Sequence, residues 1–134
     1  LHLDKGIRLI DDSYNASPSS VIAALDSLKH AGPPRTAVLA DMLELGDDGP
    51  DYHREVGRHI SDLGIERVIA VGKLSAHISD NCASHALHFA NTDQLLADCP
   101  EFFQNETILV KGSRGMQLDR FVTAMAASEG EATC

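Results

Sequence analysis

Carboxylate, amide, hydroxyl and cationic side chains gather in three short stretches of this chain, and each stretch can contact a ligand. The first is Asp11-Asp12-Ser13-Tyr14-Asn15-Ala16-Ser17-Pro18. Its carboxylates can accept from ribose hydroxyls, Tyr14 offers a flat face and a hydroxyl, and Asn15 both donates and accepts. The second is Asp41-Met42-Leu43-Glu44-Leu45-Gly46, followed by Asp47, Asp48, Asp51 and His53. Clustered carboxylates of this kind suit a hard cation through oxygen ligands, although the spacing is not that of an EF-hand loop. The third is Val110-Lys111-Gly112-Ser113-Arg114-Gly115, a glycine-rich turn between two cations. Its backbone N–H groups can form an anion-binding nest, Arg114 can fork onto a carboxylate or phosphate, and Lys111 supplies a point charge. Each stretch also has a plainer reading, as a capped βα turn, a solvated acidic loop and a turn with two exposed cations respectively. Neither a dinucleotide fingerprint nor a Walker A loop is present, and Gly72-Lys73-Leu74 does not make one.

Short β-type runs alternating with helical periodicity must position these loops, which is the pattern of a largely parallel sheet with helices on its faces. Strands are expected at Ile7–Asp11, Thr36–Ala40, Val68–Val71, Ala86–Phe89 and Thr107–Lys111. Leu1–Leu3 with an Asp4-Lys5-Gly6 turn suits an antiparallel edge strand beside the first. Ser17 and Pro18 predict a helix start, with Val21, Leu25 and Leu28 on one face and Gly32-Pro33-Pro34 as the stop. Asp51 is expected to cap a helix carrying Val56, Ile60 and Leu63, closed by Gly64. Further helices are expected around Ser75–Cys82, from a Thr92 cap through Leu96, and over Gln117–Ala127 with Leu118, Phe121, Val122 and Met125 in phase. The tail after Ser128 is small and acidic and is expected to fray. His53, near a helix N-terminus, is expected to stay neutral. In such sheets ligands meet the carboxyl ends of the strands, where all three loaded loops fall.

The 134 residues fit one domain, and 43% hydrophobic with 23% charged residues is ordinary globular composition. A formal charge of −9 argues against a nucleic-acid grip or an anionic-membrane patch. Apolar runs are far shorter than the ~20 residues that span a bilayer, and no apolar leader with basic flanks opens the chain. Three cysteines, Cys82, Cys99 and Cys134, are an odd count that suits reduced thiols and a cytoplasmic location. Cys82, His85 and His88 have metal-ligand types without structural-zinc spacing, so no metal site is expected. Asn105-Glu106-Thr107 is read as a chance glycosylation sequon. A start at Leu1 rather than Met suggests a piece of a longer protein.

The ordered set Asp11–Pro18, Asp41–Gly46 with His53 and Gly57, and Val110–Met116 resembles the C-terminal domain of the Mur ligases, in the branch that adds D-alanyl-D-alanine during peptidoglycan synthesis. Two positions depart from that pattern, Ser17 where Asn is usual and Ala40 where Gly precedes the Asp. The resemblance implies a Rossmann-like, doubly wound α/β fold, with a mostly parallel sheet of about six strands, one antiparallel edge strand and helices on both faces. It implies a domain over residues 1–128 and a tail over 129–134, without the UDP-substrate domain and the central ATPase domain of such ligases. It further implies a monomeric lid, inert alone, closing on ATP and on D-alanyl-D-alanine while UDP-MurNAc-tripeptide and Mg2+ sit on the missing domains. Asp11, Asp12, Tyr14 and Asn15 then face the nucleotide, and Lys111, Ser113 and Arg114 the incoming dipeptide. Asp41, Glu44 and His53 order the lid or touch either ligand. Another Mur or folylpolyglutamate-type ligase, or a free-standing nucleotide-binding or interaction module, remains the alternative, because this architecture hosts many functions.

Overall fold

Two apolar layers, one on each side of a single sheet, organise the chain. The computed structural model describes residues 2–3, 6–98 and 105–127. In chain order the elements are β1 (His2–Leu3), β2 (Ile7–Asp12), α1 (Pro18–Lys29), β3 (Arg35–Ala40), α2 (Gly49–Leu63), β4 (Arg67–Val71), α3 (Ala76–Ser79), β5 (His85–Phe89), α4 (Thr92–Ala97), β6 (Thr107–Lys111) and α5 (Asp119–Ala127). The sheet runs β1-β2-β6-β3-β4-β5. β1 pairs with β2 antiparallel, and every other pairing is parallel.

The strands are continuous apolar runs because both faces are covered. Alternate residues of β3, Ala37 and Leu39 against Val38 and Ala40, go to opposite layers. The first layer packs Val21, Leu25 and Leu28 of α1, Val56 and Ile60 of α2 and Ile78 of α3 on one face. The second packs Leu95 of α4 and Leu118, Phe121, Val122 and Met125 on the other. All these side chains are buried, as the apolar stripes predict.

The helix ends follow local chemistry. Ser17 is the N-cap of α1, and its hydroxyl and that of Ser20 satisfy each other's backbone N–H in a capping box. Gly64 closes α2 at φ 71°, the left-handed conformation that glycine adopts without strain. Four sequence expectations need correction. Asp51 is not the cap of α2: a 3-10 turn over Gly46–Asp48 runs directly into the helix, and Asp51 lies in the first turn paired with Arg54 at 2.5 Å. Asn91, not Thr92, caps α4 by accepting from Gln94 N–H, while the Thr92 hydroxyl donates to the Met116 carbonyl at 2.6 Å. α3 ends at Ser79, where the Asn81 amide reaches back to the His77 carbonyl. The last helix starts at Asp119 because Gln117 takes φ 60° after a 3-10 turn over Arg114–Met116. The Asp4-Lys5 part of the edge turn, Cys99, Cys134 and the 129–134 tail lie outside the described residues.

At the amino ends of the strands, buried Glu106 accepts from the Thr36 hydroxyl at 2.5 Å and from Arg67 Nη2 at 2.6 Å. Arg67 Nε also donates to the Thr36 hydroxyl, so β3, β4 and the start of β6 are tied together at that rim. No helix among the described residues is long and apolar enough to cross a membrane.

Candidate functional site

β2, β6 and β3 lie side by side, and their carboxyl ends carry the three loaded loops. The chain leaves β2 and β3 toward α1 and α2 on one face and leaves β6 toward α5 on the other, so a crevice opens on each side of β6.

In the β2–β6 crevice, register sets Asp12 opposite Lys111. Lys111 is only 3% exposed, and its ammonium donates to Asp12 Oδ2 at 2.8 Å and to the Asn15 carbonyl at 3.0 Å. The two oxygen partners compensate the ammonium for the water it gives up on burial. The pair joins two residues that the sequence reading assigned to different ligands. Asp11 turns inward along its own loop, accepting from the Ser13 N–H and hydroxyl. Asn15 is exposed and contributes its carbonyl to Lys111, leaving its side-chain amide for a ligand.

Tyr14 is 69% exposed, and the Arg114 guanidinium lies over its ring at 4.9 Å from the centroid. Arg114 Nη1 also donates to the Tyr14 hydroxyl at 3.0 Å, which fixes the fork while the rest of its donors stay available for a planar anion. Ser13, Tyr14, Arg114, Gln117, Asp119 and Arg120 line an open pocket of about 490 Å³. Gln117, Asp119 and Arg120 were not singled out in the sequence. Their signal was position alone, immediately beyond the Lys111–Gly115 turn, and Arg120 is paired with Asp93 of α4 at 2.7 Å.

The β6–β3 crevice holds the second loop. The buried Asp41 carboxylate accepts from Ser75 N–H at 2.7 Å and Leu74 N–H at 3.1 Å. A Cβ at Gly72 would overlap that carboxylate, so the Asp41 clamp requires glycine there, at φ 115°. The Asp41 carbonyl accepts from Ser113 N–H, and the Ser113 hydroxyl oxygen accepts from Leu43 N–H at 2.8 Å. His53 is fully buried, with Nε2 accepting from Met42 N–H at 3.0 Å and Nδ1 set against the Gly49 carbonyl at 2.6 Å. These partners require the neutral Nδ1–H tautomer. Burial pushes the imidazole below its ordinary value, with the bond to Gly49 opposing it. Glu44 is exposed at φ 65° on the same loop. Asp41 and His53 thus order the loop from inside, and Leu43 and Glu44 are what it presents.

Cys82 and His88 engage separate backbone carbonyls, of Ser79 and Gly72.

The Mur ligase, glutamate ligase domain model matches residues 1–114 of this chain. The chain is 39% identical to the UDP-N-acetylmuramoyl-tripeptide–D-alanyl-D-alanine ligase of Bacillus subtilis (strain 168), over 93% of its own length and 29% of that protein. It is 37% identical to the enzyme of the same name from Escherichia coli (strain K12), over 87% of itself and 26% of the relative. It therefore spans less than a third of the length of these curated relatives. Among solved structures, MurF from Acinetobacter baumannii superposes with a TM-score of 0.79 at 26% identity, covering 89% of this chain and 27% of that one. MurF ligase from Thermotoga maritima, solved in complex with ADP, shares the fold with a TM-score of 0.77 at 21% identity, over 92% of this chain and 29% of that one. A family match over residues 1–114, most of the chain, places it in the Mur ligase family as its C-terminal, glutamate ligase domain.

Proposed function

We propose that this chain is the closing domain of an ATP-dependent ligase that joins D-alanyl-D-alanine to UDP-MurNAc-tripeptide. The observation that carries the reading is the 39% identity to a relative of that name, held over 93% of the chain and including all three rim loops. In this reaction ATP phosphorylates the tripeptide carboxylate, and the dipeptide amine attacks the acyl phosphate. The tetrahedral intermediate then expels phosphate to leave an amide. Among the described residues no three His, Cys, Asp or Glu side chains gather to hold a metal ion. Mg2+ is assigned to the phosphates on the central domain, as in ligases of this family, and no step on this chain runs through it.

The domain's own work is binding, orientation and exclusion of water. Asp12, Tyr14 and Asn15 meet the nucleotide, with Asp11 shaping their turn. Arg114, braced on Tyr14, takes the dipeptide carboxylate, and Ser113 donates to the same substrate. Lys111 touches both sides, because its bonds to Asp12 and Asn15 hold the nucleotide loop while its strand carries the dipeptide loop. Residues 1–128 form the working unit, which acts in the cytoplasm as part of a monomer.

The test is a chimera in which this chain replaces the matching portion of the Bacillus subtilis ligase. It should form product with D-alanyl-D-alanine, ATP and UDP-MurNAc-tripeptide and should reject single amino acids. A chimera that makes the acyl phosphate and then transfers glutamate or glycine in preference to the dipeptide overturns the reading in favour of another ligase of the same architecture.

A further inference from the structure

Ser113 and His53 are separated in sequence and lie on different elements, yet they hold adjacent backbone amides of one rim loop. Met42 N–H is taken by His53 Nε2 and Leu43 N–H by the Ser113 hydroxyl oxygen. Each bond constrains the other, because the two amides belong to consecutive peptide units whose orientations are not independent. The Leu43 bond fills an acceptor position on the Ser113 hydroxyl, which directs its hydrogen away from that amide. Leu43 itself is 39% exposed and lies over Gly115, where an added Cβ would come within 3.0 Å of its Cδ1. The loop therefore closes one side of the Ser113–Gly115 turn.

We propose that His53 is a positioning residue for the acceptor: it fixes the Met42–Leu43 backbone so that Ser113 presents its hydroxyl hydrogen to the incoming dipeptide. This rests on the ligase reading above. His53 never touches substrate, being fully buried. Its acceptor nitrogen exists only in the neutral ring, since a protonated Nε2 would set N–H against the Met42 N–H. The ionisable groups facing it from other elements are Asp41 at the end of β3, which favours its charge, and His77 of α3, which opposes it. Burial outweighs both and lowers its affinity for a proton, so the loop is locked at neutral pH and released only in acid.

The experiment uses the full-length ligase with His53→Gln, His53→Phe, Ser113→Ala and the double variant of the last two. His53→Phe should raise the dipeptide KM about ten-fold, leave the ATP KM within about two-fold, and spare acyl-phosphate formation measured without dipeptide. The His53→Phe effect should nearly vanish on the Ser113→Ala background, because one route serves both. His53→Gln keeps a neutral acceptor, so its kcat/KM for dipeptide relative to wild type should be flat above pH 6.5, the unperturbed histidine value, and should rise below it. Comparison as a ratio cancels the titration of the dipeptide amine. Multiplying effects in the double variant, equal rises in both KM values, or a ratio that is flat throughout would each overturn the proposal. If His53→Phe does not fold, His53→Gln and Ser113→Ala still decide it through the pH ratio and the KM split. A wild-type enzyme with no dipeptide-dependent activity would instead refute the ligase reading, and this is seen before any variant is made.

Discussion

At the scale of single residues, the Lys111–Asp12 pair does what neither side chain could do alone. Lys111 is 3% exposed and without Asp12 would carry a buried ammonium with no carboxylate partner, and Asp12 would be one more exposed loop carboxylate without the cation that orients it. Asp12→Ala should raise the ATP KM of the full-length ligase by about 1–3 kcal/mol in binding terms, the worth of a charged hydrogen bond, with little change in dipeptide KM. Lys111→Met keeps the buried stem and loses both bonds, so it should raise both KM values. A rise confined to the dipeptide would show that the ion pair is incidental to nucleotide binding. Arg114 makes a different demand. Arg114→Lys retains charge but loses the fork and the flat face that stacks on Tyr14, and should weaken the dipeptide step. Arg114→Ala should be worse, because a desolvated carboxylate is then left unpaired. Steady-state kinetics in dipeptide at saturating ATP, beside acyl-phosphate formation without dipeptide, separates the two sides. Arg114→Ala that blocks acyl-phosphate formation and spares dipeptide KM would move this loop to the nucleotide.

Elements were more legible in the sequence than the bonds between them. The strands were readable because apolar runs of about five residues, bounded by glycine and polar turns, have few alternatives, and β6 begins and ends as expected. Helix faces were readable from phase. The misplaced features are all polar ends, where several side chains can serve. Asn91 and Thr92 are both good caps, and only the Met116 carbonyl decides between them by claiming the Thr92 hydroxyl. Strand-end placement found the three loops, yet the Lys111–Asp12 bond depends on β6 lying beside β2, which local pattern does not encode. The Glu106–Arg67–Thr36 cluster was likewise invisible, its members coming from β3, β4 and the residue before β6. It sits at the amino rim, opposite the site. Glu106→Ala should therefore cost about 3 kcal/mol of stability, as loss of one partner of a buried pair does, and leave both KM values unchanged. Urea unfolding beside kinetics checks this, and a KM change would mean that the two rims communicate.

The whole molecule is defined as much by the chemistry it lacks as by the groups on its rim. On the proposed reading its rim gives a nucleotide Asp12, Tyr14 and Asn15, and the 134 residues contain no Walker-type phosphate loop. The purified 134-residue chain should therefore neither hydrolyse ATP nor form a peptide bond, and ATP turnover above background would refute its role as a closing domain.

The order β1-β2-β6-β3-β4-β5 also has a consequence in time. β6 fills the slot between β2 and β3, yet among the described residues it follows every other strand in chain order. A nascent chain that has reached only β5 holds β2 and β3 with facing unpaired edges, each ready to accept a strand from elsewhere. Loop closure across nearly the whole chain must precede the pairing of Asp12 with Lys111, so the sheet is completed late and slowly. The rim is thus assembled only after β6 has left the ribosome, and a chain stopped before Thr107 should aggregate through those two edges rather than persist as a smaller folded sheet.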